Sequence, residues 1–256
     1  MRVLLACIWI VFLAGCQNKP SETVFLDPAL AVLVPSGTTL LAGVRMQRVR
    51  ATAFFEEAVV KSARLAVFRK QTGLTSGSDV WEYLIAHNGK DTLTLLRGKF
   101  TEMGMEPRVS KPLAQRLTYQ GVQILGDEDG SIAFLNPTTA IAGKLGVVRS
   151  ALERRNQDAG VPEALQALTR EIPSRYEAWL VSIGPAPSFL ATEKVRSARM
   201  GFDPRSKELD LTIKVDADDR ARVASQIPGS QTTEGQVVYR GIAPAVVVDW
   251  MRSAKL

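Results

Sequence analysis

The chain has 256 residues, 46% of them hydrophobic, which is enough for a real core in one domain or two small ones. Its 32 Lys and Arg exceed its 26 Asp and Glu, for a formal charge of +6. The arginines are scattered (Arg45, Arg48 and Arg50; Arg149, Arg154 and Arg155; Arg196, Arg199 and Arg205), with no aromatic ladder between them. That pattern sets nucleic acid aside as a partner and leaves a solvated surface, or one that meets anionic headgroups or envelope polymers.

In chain order, Met1-Arg2 gives a charged start and Val3 to Gly15 an unbroken run of thirteen apolar or small residues. A membrane-spanning helix takes about 20 such residues. The run is too short to cross and has the plan of a secretory signal. It ends in Leu13-Ala14-Gly15-Cys16, followed by the polar Gln17, Asn18 and Lys19.

The order and spacing of those four residues resemble the lipobox of bacterial lipoprotein precursors. The resemblance is confined to this segment. It implies that the Cys16 thiol takes a diacylglyceryl group, that cleavage falls between Gly15 and Cys16, and that the new N-terminus is acylated. The partner it implies is a membrane, and the place is the cell envelope. Gln17, where an Asp would signal inner-membrane retention, tilts the implied address toward the outer membrane. One acyl chain holds a protein only marginally, and two or three hold it durably. Cys7 leaves with the signal, so the folded part has no thiol left for a disulfide.

Residues 16–27 read as a lipidated tether with Pro20. Beyond it, the fold class expected is α+β: an antiparallel, hairpin-rich sheet packed against amphipathic helices. Two related halves, 28–157 and 158–256, are expected, whether as two domains or one. Val34-Pro35-Ser36 precedes the strand-like TTLLAGV, and Ile172-Pro173-Ser174 precedes YEAWLVSIG. Val49, Ala53, Val59, Val60, Ala63 and Val67 recur at helical spacing over 47–71. Hairpins are expected at Asn88-Gly89, with a type I′ turn, at Asp129-Gly130 and at Asp203-Pro204-Arg205-Ser206. Helices are expected over 145–155 and 163–171, and after Asp216 and Asp219 as capping acids; Pro244 opens a last one. Leu209, Leu211, Ile213 and Val215 alternate with polar residues as a half-buried strand.

Chemistry-bearing motifs are sparse. His87 is the single histidine and flanks a turn. Zinc needs three or four donors, so no metal site is expected. There is no phosphate loop, no dinucleotide fingerprint and no Gly-x-Ser-x-Gly elbow, so no cofactor and no catalytic residue are expected. Asp127, Glu128 and Asp129 read as turn residues. Phe54, Phe55, Phe68, Trp81 and Tyr83 are core candidates, with an apolar pocket as the alternative.

The reading is a non-enzymatic, lipid-anchored envelope protein that binds or scaffolds a partner not identified by sequence. A carrier of an apolar ligand such as a lipid is the alternative, and a carboxylate-dependent hydrolase the second. Cys16→Ser is expected to abolish fatty-acid incorporation and envelope partition, because the thiolate is the nucleophile that the modification needs. Radiolabelled palmitate with envelope fractionation measures both, and equal label in mutant and wild type would remove Cys16 as the anchor.

Overall fold

The computed structural model describes residues 23–52, 55–56, 69, 74–75, 78–100, 115–155, 160–184, 195–203, 208–226, 229–233 and 235–242. The signal, Cys16, Phe54, Phe68, most of the 47–71 helix and the helix after Pro244 lie outside them. The strands are β1 Leu40–Arg45, β2 Val80–His87, β3 Thr92–Gly98, β4 Arg116–Tyr119, β5 Val122–Gly126 and β6 Ser131–Asn136. They continue as β7 Thr139–Gly143, β8 Ala178–Ile183, β9 Val195–Asp203, β10 Glu208–Val215, β11 Gln231–Thr233 and β12 Gln236–Ile242. Among the described residues the α-helices are short: α1 Pro28–Ala31, α2 Met46–Val49, α3 Leu145–Arg154, α4 Glu163–Thr169 and α5 Arg220–Ser225.

All twelve strands form one open sheet in the order β11-β12-β10-β9-β8-β1-β2-β3-β7-β6-β5-β4. Each neighbouring pair is antiparallel. The expected class, α+β with a hairpin-rich antiparallel sheet, is the one observed. Outward from the β1–β8 junction the chain repeats a path: β1-β2-β3-β7-β6 on one side, β8-β9-β10-β12-β11 on the other. The first side adds β4 and β5 at its rim. Aligning Val34-Pro35-Ser36 with Ile172-Pro173-Ser174 matches Ala42 to Leu180, and these two residues pair with each other. The junction is therefore self-complementary about that pair.

Period-two alternation puts one set of side chains on each face. One face carries Tyr83, Leu96, Ile132 and Ala140, and continues through Ala198, Phe202, Leu209, Leu211 and Ile213, with Val49 of α2 and Val223 of α5 packed on it. The other face carries Leu41, Leu84, Leu93, Leu95 and Ile141 under α1, α3 and α4, through Leu30, Val148, Leu152 and Leu165.

Gly43 makes room on this second face. A Cβ there would lie 2.4 Å from the Trp179 indole, so the ring of β8 crosses directly over the β1 backbone.

Three local expectations are corrected. At Asn88-Gly89 only Gly89 has positive φ, at 90°. The Asn88 side-chain oxygen instead accepts the N–H groups of Lys90 and Asp91, at 3.0 and 2.8 Å, which closes a longer loop. The hairpin with two positive φ values falls at Gln120 and Gly121, at 48° and 75°, between β4 and β5. Asp216 does not cap the helix that follows, while Asp219 lies in the first, 3-10 turn leading into α5 but makes no cap hydrogen bond. Asp216 pairs with Arg196, and the Asp219 carboxylate accepts from Arg222 at 3.0 Å, because each arginine offers a charged donor that outcompetes a backbone N–H.

Gly43→Ala is expected to destabilise the fold by about 1–3 kcal/mol, since the added methyl would overlap the Trp179 ring and force it to shift. Gly37→Ala, with nothing within 4 Å of its Cβ position, is the control. Urea midpoints of the two variants measure the difference.

Candidate functional site

Three features bear on function: a polar row, the entry of the chain, and a cleft at the opposite end of the sheet. The row runs across the second face where β1 ends. Register places Arg45 opposite Glu82, Glu82 opposite Arg97 and Arg97 opposite Thr139. Beyond Arg45 comes Glu177, whose carbonyl accepts the Arg45 N–H at 2.8 Å. The buried Glu177 carboxylate lies 3.6 Å from Arg45 and 3.4 Å from Arg48. Charges thus alternate strand by strand, the arrangement that favours cross-strand neighbours.

Asp27 joins the row from above. One carboxylate oxygen accepts from Arg97 Nε at 2.7 Å, and the other accepts the Ala29 N–H at 2.8 Å to cap α1. Arg97 also donates to Thr139 Oγ1 at 2.7 Å and Thr138 Oγ1 at 3.0 Å. Burial raises the Glu82 carboxyl above its usual value. Arg45 opposes that shift, Asp27 adds to it and Arg97 opposes it again, so desolvation wins over the attraction of the arginines.

The described chain enters at this end. Thr23 bridges Pro173, and the Val24 N–H donates to the Ile172 carbonyl at 2.9 Å. Val24 and Leu26 pack on the core while Phe25, between them, stays 58% exposed. On β9 and β10 the same sheet face turns polar. Arg175 lies 3.5 Å from Asp203, Lys214 lies 3.5 Å from Glu171, and Arg199 pairs with Glu171. Tyr176 donates to Asp210, and burial together with that bond pushes its hydroxyl up to about 12.

At the opposite end of the strands lies a cleft of about 450 Å³ between the 35–38 segment and α3. Asn88, Asp91, Glu128, Lys144 and Ser150 contribute to its wall. Lys144 Nζ is 3.4 Å from Asp91. Thr38 is 2% exposed, and its hydroxyl has no hydrogen-bond partner. The cleft is mixed in charge, with donors and acceptors on facing walls.

The expected residues distribute as follows. His87 flanks its turn with Nδ1 3.0 Å from Thr92 Oγ1. In the Asp127 turn, the Asp127 side chain accepts from the Asp129 and Gly130 N–H groups, both at 3.0 Å. Tyr83 is buried and Phe55 packs against the same cluster, so the two contribute to the core. Trp81 is half-buried. Gly15 and Cys16 lie outside the described residues. Among the described residues no group of three or more His, Cys, Asp or Glu is placed to hold a metal ion. No helix among them is long and apolar enough to cross a membrane. Neither the row nor the cleft was found from sequence, since their members are brought together by register and turns.

No family model and no curated protein sequence matches the chain. Solved structures do. Crystal form III of TP0453, an envelope-associated protein of Treponema, matches with a TM-score of 0.62 at 9% identity, covering 91% of this chain and 99% of that one. Crystal form I matches at 0.59 and 9% identity over 90% and 98%, and form IV at 0.58 and 8% over 88% and 96%. At such identity the likeness is one of fold.

Glu82→Gln is expected to stabilise the protein near neutral pH. A carboxyl with a raised folded value is costly only where it is ionised. The advantage shrinks as pH falls through the raised folded value and vanishes below the unfolded one, where wild-type Glu82 is protonated in both states. Urea midpoints of both proteins across that range test the sign; a difference that grows toward acid would refute it.

Proposed function

We propose that the chain is a lipoprotein of the cell envelope, held by acylated Cys16, whose domain binds or scaffolds an envelope partner without catalysing a reaction. The observation that carries this reading is the Leu13-Ala14-Gly15-Cys16 motif directly behind a short apolar run. The fold it shares with TP0453 supports an envelope setting. The outer membrane is the favoured address, from Gln17.

The cleft beside α3 is the place for the partner. Its Lys144–Asp91 pair and the unpartnered Thr38 hydroxyl favour a polar, charged segment over an apolar ligand. It also lies at the end of the sheet away from Thr23, where a tethered domain is open to a second protein.

A photo-crosslinking residue at Ser150, in the cleft wall, is expected to capture one defined envelope protein in cells. The same residue at Gln166, exposed on α4, is not. Lys144→Glu, which puts a second acid beside Asp91, should lower the Ser150 yield about tenfold, equivalent to 1.4 kcal/mol. Equal capture at both positions would remove the cleft from the reading and leave the anchor standing.

A further inference from the structure

We propose that the rim carrying Phe25, Arg48 and Arg175 lies against the lipid surface, with Phe25 set among the headgroups and the cleft beside α3 turned away from it. This rests on the anchoring of Cys16 proposed above and adds to it an orientation.

The first argument is reach. Residues 17–22 separate Cys16 from Thr23, and a fully extended chain spans at most about 3.3–3.6 Å per residue. Thr23 and Val24 are fixed to Pro173 and Ile172. The domain is therefore leashed by its own rim to within about 25 Å of the acylated residue. A single exposed apolar side chain is ordinary on a protein surface. Phe25 is set apart by its position, two residues beyond the leash, and by its neighbours. Val24 and Leu26 are held on the core, which turns the Phe25 ring outward.

The second argument is charge. Arg48 and Arg175 leave 69% and 53% of their side chains in solvent, each resting on an acid, Glu177 and Asp203, at 3.4 and 3.5 Å. A guanidinium has five N–H donors, so Arg48, holding Glu177, and Arg175, holding Asp203 and donating to the Tyr176 hydroxyl at 3.1 Å, each still offer donors to a phosphate. The far end carries Asp127, Glu128 and Asp129 in one turn, and Asp91 in another, where Lys90 and Lys144 offset it. Anionic headgroups attract the exposed guanidiniums of the first rim and repel the acidic 127–129 turn, which together with the leash favours this orientation.

The test uses the full chain purified from membranes and reconstituted into phosphatidylethanolamine–phosphatidylglycerol vesicles. An environment-sensitive nitrobenzoxadiazole label is placed on Phe25→Cys or, for comparison, on Asp129→Cys. Both positions are exposed, so neither variant disturbs packing. The expected result is blue-shifted emission at position 25, quenched several-fold more strongly by doxyl lipids than the label at 129, which stays water-like. The mass of the N-terminal peptide from the same sample reports acylation. With Cys16 acylated, equal or reversed quenching overturns the orientation and leaves the anchor standing. Unmodified Cys16 overturns the anchor and the orientation together.

Discussion

β1 and β8 pair antiparallel from Leu40–Ser182 to Val44–Ala178, and the placement of everything else follows from that junction. Each is the first strand of its half. Left unpaired, each would be an edge displaying a row of backbone donors and acceptors. Pairing them turns the two most exposed edges into the middle of the sheet. It also brings Trp179 over Gly43 and Glu177 beside Arg45. The edges that remain are β4 and β11, of four and three residues, short enough to limit further strand addition.

The same junction explains why a row of charges is tolerated on a face that is otherwise apolar. Arg45, Glu82 and Arg97 come from three strands and Glu177 from the residue before β8, and register sets them side by side. Arg45 also meets Glu177 and Arg97 also meets Asp27, so each arginine keeps an acid when Glu82 is neutral. Asp27 ties the row to the segment that follows Thr23. The sheet thereby fixes where the described chain enters.

The two halves share a path but not a surface. On the face under α3, the first half presents Leu84, Leu93, Leu95 and Ile141. The rows of the second half that correspond by strand order present Arg199, Asp210, Thr212 and Lys214. The opposite face is apolar across both halves. Much of this was legible in sequence. The alternation of Leu209, Leu211, Ile213 and Val215 gives β10 directly, and the 145–155 periodicity gives α3 to within a residue. What was not legible is equally physical. β11 is exposed throughout and too short for a period to show. Gln120-Gly121 closes a two-residue hairpin with Gln where Asn or Asp is the usual signal. The charge row has no local pattern at all, because it is a property of pairing.

The two ends of the sheet differ in how their polar groups are partnered. At one end the strands finish in a network of arginines and acids that fixes the incoming chain. At the other they finish in turns closed by Asn88 and Asp127, beside a cleft with an unpartnered buried hydroxyl. An unpaired buried polar group costs about 1–3 kcal/mol. At Thr38 that cost stands with no charged partner among the described residues to offset it, whereas Glu177 Oε2, which also lacks a hydrogen bond, lies 3.6 Å from the Arg45 guanidinium. An unmet hydrogen bond is thus an uncompensated local cost at the cleft end, while at the entry end it is offset by a neighbouring charge.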